Sequence, residues 1–352
     1  MSYLIAIETA VPNYCHQQKD ITSYFIDEAN EIQTKRKLKF ISEKSGIDYR
    51  YSVLNDFSHE QKIFLKGKNS PTIEDRMALY QTEALPLALK AIKKIKGYKT
   101  SITHIITVTC TGLFAPGLDI QLMNALNLPS TLERSSVNFM GCNAAILALK
   151  QAKSICDSQS NATVLIVCVE LCTIHFQNNQ TDDDILANTL FADGAAACMV
   201  SSLPNKNATI NLKLTSFNSL IIPKGYHDMA WQLSSTGFIM NLTSYISELI
   251  NGNMLSFLKN IQLDKQQIDY WAIHPGGKKI VDDFKMTLQL EKADLQASYD
   301  ILQQFGNMSS PTILFVLKTL LENVKNPKPN QTIFAAAFGP GITLESMQLQ
   351  YV

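Results

Sequence analysis

The sequence predicts an α/β fold, because short apolar runs alternate with stretches of helical periodicity. The runs cover residues 102–110, 162–171, 195–200, 270–274 and 332–338 and are rich in Val, Ile, Thr and Ala. They are too short for ordinary helices and are typical of strands buried on both faces of a parallel or mixed sheet. Residues 143–156 and 309–324 carry apolar side chains on one helical stripe. Strands that alternate with helices indicate an α/β protein.

Length and composition limit the function classes. With 352 residues, the chain can form one large domain or two moderate halves around a sizeable core. Lys plus Arg and Asp plus Glu both number 31, which indicates neither a nucleic-acid partner nor an anionic membrane surface. The polar, Asn-rich stretch at 203–211 predicts a boundary, which divides the chain into halves 1–206 and 207–352.

The cysteines indicate a reducing compartment. There are seven, an odd number, mostly inside apolar runs and without a CxxC pair, so neither a zinc ribbon nor a thioredoxin-type site is predicted. The first residues lack the basic stretch and long apolar core of a signal peptide. No run approaches the roughly 18 apolar residues of a membrane span. We expect a cytoplasmic protein with free thiols.

Cys142 is the first candidate for chemistry. It lies in a turn of small residues that leads into the predicted helix at 143–156. A cysteine at a helix start meets the positive end of the helix dipole and free backbone N–H groups, which favours the thiolate. The alternative is a buried structural cysteine, as most of the other six are expected to be.

His274 and Asn307 complete a possible catalytic set. His274 ends an apolar strand and is followed by Pro-Gly-Gly, while Asn307 lies in a turn that enters an apolar helix. Alone, each could be an ordinary core or capping residue. Together they suit a thiol nucleophile, because a histidine can exchange its proton and an Asn amide can hold an oxyanion or enolate. Cys, His and Asn therefore suggest acyl transfer followed by carbon–carbon bond formation.

These segments resemble the type III polyketide synthases, the chalcone and stilbene synthase family, over nearly the whole chain. The matching motifs are CTG at 110–112, PG at 116–117, GC at 141–142, VEL at 169–171, FADGAAA at 191–197, HPGG at 274–277, GNMSS at 306–310 and FGPGIT at 338–343. The residues Cys-Thr-Gly at 110–112 and Glu-Leu-Cys at 170–172 resemble those of the bacterial branch of the family.

The resemblance implies a thiolase-type, five-layered fold of two similar halves, and a homodimer. It implies acyl-CoA and malonyl-CoA as substrates, with no metal, carrier protein or organic redox cofactor. Cys142 corresponds to the acyl-bearing nucleophile, while His274 and Asn307 correspond to the pair that decarboxylates malonyl-CoA and stabilises the enolate. Claisen extension and cyclisation or release of the chain would follow. Glu170 and Asp193 lie in family motifs that we interpret as structural.

The same resemblance predicts the cavity and the CoA site. Phe191 and Met240 match two gates at the end of the CoA tunnel, the second of which is normally aromatic. The plant enzymes carry threonines at the positions of Cys110, Cys172 and His175. The starter, chain length and cyclisation mode of the plant enzymes therefore cannot be transferred to this chain. The residues that match CoA or lining positions are Lys37, Lys44, Gly277 and Ser309. Phe40 stands where a third basic residue is usual.

Three alternatives remain at this point. An initiating ketoacyl–carrier-protein synthase also uses Cys, His and Asn, but typically has Gln-Ala-Asn after its histidine, where this chain has Pro-Gly-Gly. HMG-CoA synthase has a catalytic glutamate in addition. A non-catalytic subunit with a thiolase fold would have no need of all three residues.

Overall fold

All five predicted apolar runs form strands of one large sheet in the computed structural model of the chain. The structure describes residues 1–57, 64–65, 71–97, 102–205, 208, 210–243 and 245–352. The strands of these residues are β1 (Tyr3–Ala10), β2 (Tyr14–Gln17), β3 (Tyr49–Ser52), β4 (His104–Thr109), β5 (Glu133–Asn138), β6 (Thr163–Leu171), β7 (Asp193–Ser201), β8 (Leu212–Ile221), β9 (Met229–Ser234), β10 (Gly237–Leu242), β11 (Tyr270–Ile273), β12 (Thr332–Gly339) and β13 (Thr343–Tyr351).

Both predicted helices are confirmed, as α5 and α10. The helices are α1 (Gln18–Glu28), α2 (Ile32–Lys44), α3 (Ile73–Ile92), α4 (Leu118–Leu126), α5 (Ala144–Ser158), α6 (Asp182–Leu190), α7 (Ile246–Asn260), α8 (Lys278–Leu288), α9 (Gln296–Phe305) and α10 (Thr312–Asn323). Within the described ranges, none of them combines the length and the apolar character that a membrane crossing requires.

The sheet repeats one pattern of strand directions in its two halves. Its order is β11-β12-β13-β8-β1-β7-β6-β4-β5 over the described residues. In the N-terminal half, β5, β4 and β6 are parallel, and β7 and then β1 follow antiparallel. In the C-terminal half, β11 and β12 are parallel, and β13 and then β8 follow antiparallel. The predicted likeness of the halves is therefore visible in their topology, and β1 joins them by pairing with β8.

Helices α5 and α10 form the central layer between the half-sheets. Each contacts strands of both halves, whereas α3 covers the outer face of β1, β6 and β7. On the far side, Trp271 of β11 packs edge-on against Phe284 of α8, with ring centroids 6.2 Å apart. Small side chains let α5 lie close to both sheets, since Ala145 and Ala148 are fully buried. The layered α/β architecture predicted from the sequence is confirmed.

One strand of the main sheet has no apolar signature in the sequence. Strand β5, at the edge of the sheet, reads Glu-Arg-Ser-Ser-Val-Asn and is largely exposed, so its backbone bonds to β4 define it. The hairpin β9–β10 stands apart from the main sheet and contributes to the functional cavity. The predicted boundary between residues 206 and 207 lies outside the described residues and stays a prediction.

The close packing of the central layer gives a stability prediction. Ala148→Leu should lower the free energy of unfolding by about 1–3 kcal/mol, because the added atoms must displace strands on both sides of α5. Ser154→Leu, on the exposed face of the same helix, is the matched control. Urea unfolding checks this, and equal midpoints for the two variants would show that α5 is not a tightly packed central helix.

Candidate active site

Residues from both halves meet at one cavity of about 390 Å³. Most of the residues predicted for the site line it, namely Cys142, His274, Asn307, Phe191, Met240, Cys110, Cys172, His175, Ser309, Gly277 and Lys44. The lining also includes exposed residues of α2 and α8, where the cavity meets solvent. Lys37 is the one predicted residue that does not border it.

The turn before α5 fixes the position of Cys142. The chain leaves β5 through Phe139, which has a φ of 60°, and Gly141, which has a φ of 87°. A Cβ atom at Gly141 would lie 2.1 Å from Cδ of Pro340, so both the backbone angle and the space require glycine. Asn143 caps α5, and Cys142 therefore comes directly before the helix, as predicted.

The side chain of Cys142 is a neutral thiol. Its Sγ lies 3.9 Å from Oδ1 of Asn307. Burial is the main influence on the thiol and raises its pKa to about 11; the Glu170 carboxylate adds to the rise, while hydrogen bonds to Ser309 and Asn307 oppose it. The thiolate expected from the helix dipole is thus not favoured, because desolvation outweighs the dipole. Cys142 keeps its proton at neutral pH.

His274 is buried beside the cavity with a neutral ring. Its backbone N–H donates to the carbonyl of Ala336 at 2.9 Å, which continues the pairing of β11 with β12. Only 1% of the residue is exposed, and neither ring nitrogen has a hydrogen-bond partner among the described residues. Burial lowers its pKa to about 3. Desolvation therefore opposes a charge on His274 and on Cys142 alike.

The amide of Asn307 is held in one orientation. Its Oδ1 accepts a hydrogen bond from the backbone N–H of Ser309 at 2.8 Å. The amide nitrogen, Nδ2, therefore faces the other way and donates to the carbonyl of Gly276 at 3.2 Å. The second Nδ2 proton has no such partner among the described residues. The backbone of Asn307 bridges to Leu190 and Ala192, with both hydrogen bonds at 2.9 Å. Asn307 is thereby fixed relative to the segment that carries Phe191.

A buried arginine that sequence reasoning missed secures the same segment. Arg50 donates to the carbonyls of Phe191 and Asn188, both at 2.7 Å, and its Nε donates to Oε1 of Gln18 at 2.8 Å. Burial lowers its pKa to about 9. Nothing in the surrounding Asp-Tyr-Arg-Tyr-Ser sequence indicates this role, because the carbonyls it binds are more than 130 positions away in the chain.

Glu170 is a buried carboxylate with three hydrogen-bond donors within 2.8 Å and a fourth, the hydroxyl of Thr109, at 3.4 Å. It accepts the backbone N–H of Cys110 at 2.8 Å, the hydroxyl of Thr111 at 2.7 Å and the hydroxyl of Ser310 at 2.5 Å. Burial raises its pKa, and these hydrogen bonds oppose that rise. Asp193 is similarly engaged by two backbone N–H groups and a hydroxyl. These contacts agree with the structural interpretation of both acids.

The basic residues at the mouth differ from the predicted set. Lys37 forms an ion pair with Asp182, which accounts for its place off the cavity. Lys44 and the exposed Phe40 line the mouth from α2. From α8, Lys278 and Lys279 line it as well, and sequence reasoning missed both. The available signal was their position directly after Pro-Gly-Gly, at the start of a helix.

The two mouth lysines of α8 differ in their pairing. Lys278 contacts Asp282 at 2.7 Å, one turn along the helix. Lys279 has no carboxylate partner within the part of the chain that the structure describes. In the same described residues, no group of three or more His, Cys, Asp and Glu side chains is arranged to hold a metal ion. All seven cysteines are free thiols.

The pKa of Cys142 gives a testable prediction. Below a pKa of about 11, the thiolate fraction rises about tenfold per pH unit. Alkylation of Cys142 by iodoacetamide should therefore accelerate about tenfold per unit from about pH 7 to about pH 10. Peptide mass spectrometry measures it, with Cys142→Ser as the control for peptide assignment. A rate that levels off near neutral pH would reveal a thiolate–imidazolium pair already present at rest.

Family models cover almost the entire chain. Residues 1–204 match the N-terminal domain of the chalcone and stilbene synthases, and residues 211–352 match their C-terminal domain. Alpha-pyrone synthesis polyketide synthase-like Pks18 of Mycobacterium tuberculosis is 29% identical, over 97% of this chain and 89% of its own length. Probable polyketide synthase 1 of Dictyostelium discoideum is also 29% identical, but the chain spans only 11% of its length.

Solved structures agree with this relationship. The C-terminal type III polyketide synthase domain of Steely1 from Dictyostelium has a TM-score of 0.90 and 27% identity, with 100% of this chain and 99% of that chain covered. CsyB, solved in complex with CoA-SH, has a TM-score of 0.88 and 24% identity, with both chains fully covered. The relatives come from a bacterium and an amoeba, so the bacterial branch stays a prediction. The chain belongs to the chalcone and stilbene synthase family, the type III polyketide synthases, which are condensing acyltransferases.

Proposed function

We propose that the chain extends an acyl-CoA starter with malonyl units while the acyl group is held on Cys142. The convergence of Cys142, His274 and Asn307 on one largely apolar cavity carries this proposal. Each extension is a Claisen condensation, and the finished polyketide cyclises or is released. The substrates are CoA thioesters, and the chemistry below relies on these side chains without a metal or redox cofactor.

Loading begins with a coupled proton transfer. His274 takes the proton of Cys142 as sulfur attacks the thioester carbonyl of the starter, so the two charges form side by side in the buried site. The free N–H of Asn307 is available to donate to the developing oxyanion. When the carbon–sulfur bond to CoA breaks, the leaving thiolate takes the proton from His274. Cys142 then carries the acyl group, and His274 is neutral again.

Extension uses the same donors on a second substrate. Loss of CO2 from malonyl-CoA leaves an enolate, whose oxygen can accept hydrogen bonds from the Asn307 amide and from the N–H of neutral His274. An apolar cavity favours this step, because the carboxylate loses its charge as CO2 while the donors hold the new one. The enolate carbon attacks the Cys142 thioester, a carbon–carbon bond forms, and the sulfur departs as a thiolate that regains its proton from solvent. The lengthened chain is then on CoA, from which Cys142 can take it again.

Lysines at the mouth suit the phosphate end of CoA. Lys44 approaches from α2, and Lys278 and Lys279 approach from the first turn of α8, whose Gly277 cap leaves backbone N–H groups free of side-chain capping. An apolar residue, Phe40, lies at the third position expected to be basic. We therefore propose that α8 supplies the positive charge that α2 lacks. The complex of CsyB with CoA-SH supports CoA as the carrier.

Assembly and location complete the proposal. We propose a homodimer, since the edge strand β5 and the large apolar side chains of Leu113, Phe139 and Met140 beside the site are exposed in the single chain. A cytoplasmic location is supported by the free thiols, most of which are buried. Light scattering tests the dimer directly.

Incubation with malonyl-CoA and a panel of short, aromatic and long-chain acyl-CoAs tests the activity. Mass spectrometry should detect starters lengthened by two-carbon units, with one CO2 released for each unit. Cys142→Ala should form none of these products. If no starter is extended, or if the variant makes the same products, condensation at Cys142 is refuted.

Loading and decarboxylation should respond differently to the loss of Asn307. In Asn307→Ala, acylation of Cys142 should slow but still go to completion, because the thiol and His274 remain, while CO2 release from malonyl-CoA falls about a hundredfold or more because the enolate loses a fixed donor. The two readouts are intact-protein mass and trapped radiolabelled CO2. Decarboxylation at the wild-type rate in this variant would assign Asn307 another role.

The lysines of the mouth should act only on the nucleotide end of the substrate. In a Lys44→Glu and Lys279→Glu double variant, KM for an acyl-CoA should rise about tenfold or more, since charge-assisted contacts to phosphate are lost. KM for the matching acyl-pantetheine, which lacks the phosphates of the nucleotide, should stay within about twofold. Lys285→Glu, on α8 but off the cavity, is the control. Equal effects on both substrates would contradict the assignment.

A further inference from the structure

His175 is a buried polar side chain that the proposed reaction does not use. It lines the same cavity as Cys142, and only 8% of the residue is exposed. Its Nε2 lies 2.8 Å from the carbonyl oxygen of Thr111. A carbonyl oxygen can only accept a hydrogen bond, so Nε2 carries the proton and Nδ1 is left with a lone pair.

Like Nη2 of the neighbouring Arg76, Nδ1 of His175 lacks a hydrogen-bond partner among the described residues. It is buried, and no hydrogen-bond donor among the described residues reaches it. Buried polar atoms in proteins are nearly always paired, so each exception calls for an explanation. Here the ring borders a cavity that is proposed to hold substrate, and a donor on that substrate would complete the pairing.

The ring cannot turn to find a partner elsewhere. It stacks on Phe238 with centroids 4.1 Å apart and planes 7° apart. Arg76 donates to the carbonyls of the neighbouring residues Ile174 and Phe176, and Gln177 donates to the carbonyl of His175 itself at 3.0 Å. Backbone and ring are both held, so the lone pair is preorganised.

Only a donor group can satisfy this nitrogen. Burial lowers the pKa of His175 to about 3, with the nearby charge of Arg76 adding to the effect and the bond to Thr111 opposing it. The neutral ring offers an acceptor at Nδ1 at working pH. The ketone oxygens of a β-keto chain are acceptors and do not fit, whereas the enol form of the same chain presents an O–H.

We propose that Nδ1 of His175 accepts a hydrogen bond from an enol hydroxyl of the polyketide chain in the cavity, and thereby selects which ring closes. This rests on the proposed function, because it requires a β-keto chain built in this cavity. Fixing one enol oxygen at His175 sets which carbon or oxygen of the chain faces the thioester. His175 is then a substrate-positioning residue that determines product type.

Two variants separate the acceptor from the shape of the ring. His175→Gln can keep both functions, since its amide N–H can donate to Thr111 and its oxygen can accept in place of Nδ1. His175→Phe keeps the stacking on Phe238 but has no acceptor. The readout is the ratio of ring-closed products to one another and to linear acids, by chromatography and mass spectrometry. This ratio is taken per chain released, so a general loss of rate does not change it.

Loss of the acceptor should change the product ratio by about tenfold in His175→Phe, while His175→Gln stays within about twofold of wild type. Starters with and without a hydroxyl group distinguish the source of the O–H. An effect with both identifies the enol of the chain, whereas an effect only with hydroxylated starters overturns the enol assignment. An unchanged ratio in His175→Phe, or equal shifts in both variants, also overturns it.

A measurement on the unmodified protein covers the case in which His175→Phe does not fold. With ¹⁵N-labelled histidine, the Nδ1 resonance of His175 should shift when an enolisable β-diketone analogue binds, and should not shift with the matching simple ketone. No difference between the two ligands refutes the hydrogen bond. Failure of the wild-type protein to extend any starter would instead refute the proposed function, so the two failures are distinguishable.

Discussion

The site depends on the hydrogen bonds that the buried carboxylate of Glu170 accepts. This carboxylate receives Cys110 and Thr111 from the end of β4, in the N-terminal half, and Ser310 from the turn that carries Asn307, in the C-terminal half. A buried charge is costly unless its lone pairs are satisfied, so these donors cannot separate without a large penalty. The same charge lies close enough to Cys142 to raise the pKa of its thiol. One residue therefore joins the halves and adds to the effect of burial on the pKa of the Cys142 thiol.

Near Glu170, polar side chains line a largely apolar cavity, and most of them are not hydrogen-bonded to one another. Within the described part of the chain, neither ring nitrogen of His274 has a hydrogen-bond partner, and Asn307 keeps a free N–H because its oxygen is fixed by Ser309. Such groups are unfavourable in the folded protein, but they need no rearrangement when charge develops on a thioester. The rigid surroundings, including the Arg50 contacts to the Phe191 segment, keep the donors in position. The site thus sacrifices stability for preorganised electrostatics.

The sequence predicts those parts of the structure that local patterns determine. Strands buried on both faces and the helices α5 and α10 follow from apolar periodicity. Position at strand and helix ends makes Cys142, His274 and Asn307 candidates only, and the family resemblance is needed to select them together. Strand β5 could not be predicted, because an exposed edge strand has no apolar pattern. Arg50 and the pairing of Lys37 with Asp182 depend on contacts between distant segments. The thiol pKa was expected in the wrong direction, since burial is a property of the fold and not of the turn.

The central claim is that Cys142 carries the acyl chain, and intact-protein mass spectrometry after brief treatment with an acyl-CoA tests it most directly. The account predicts one added acyl group per chain, located on the peptide that contains Cys142, released by hydroxylamine as a thioester should be, and absent in Cys142→Ala. An adduct that persists in Cys142→Ala, or that maps to any of the other six cysteines, would contradict it.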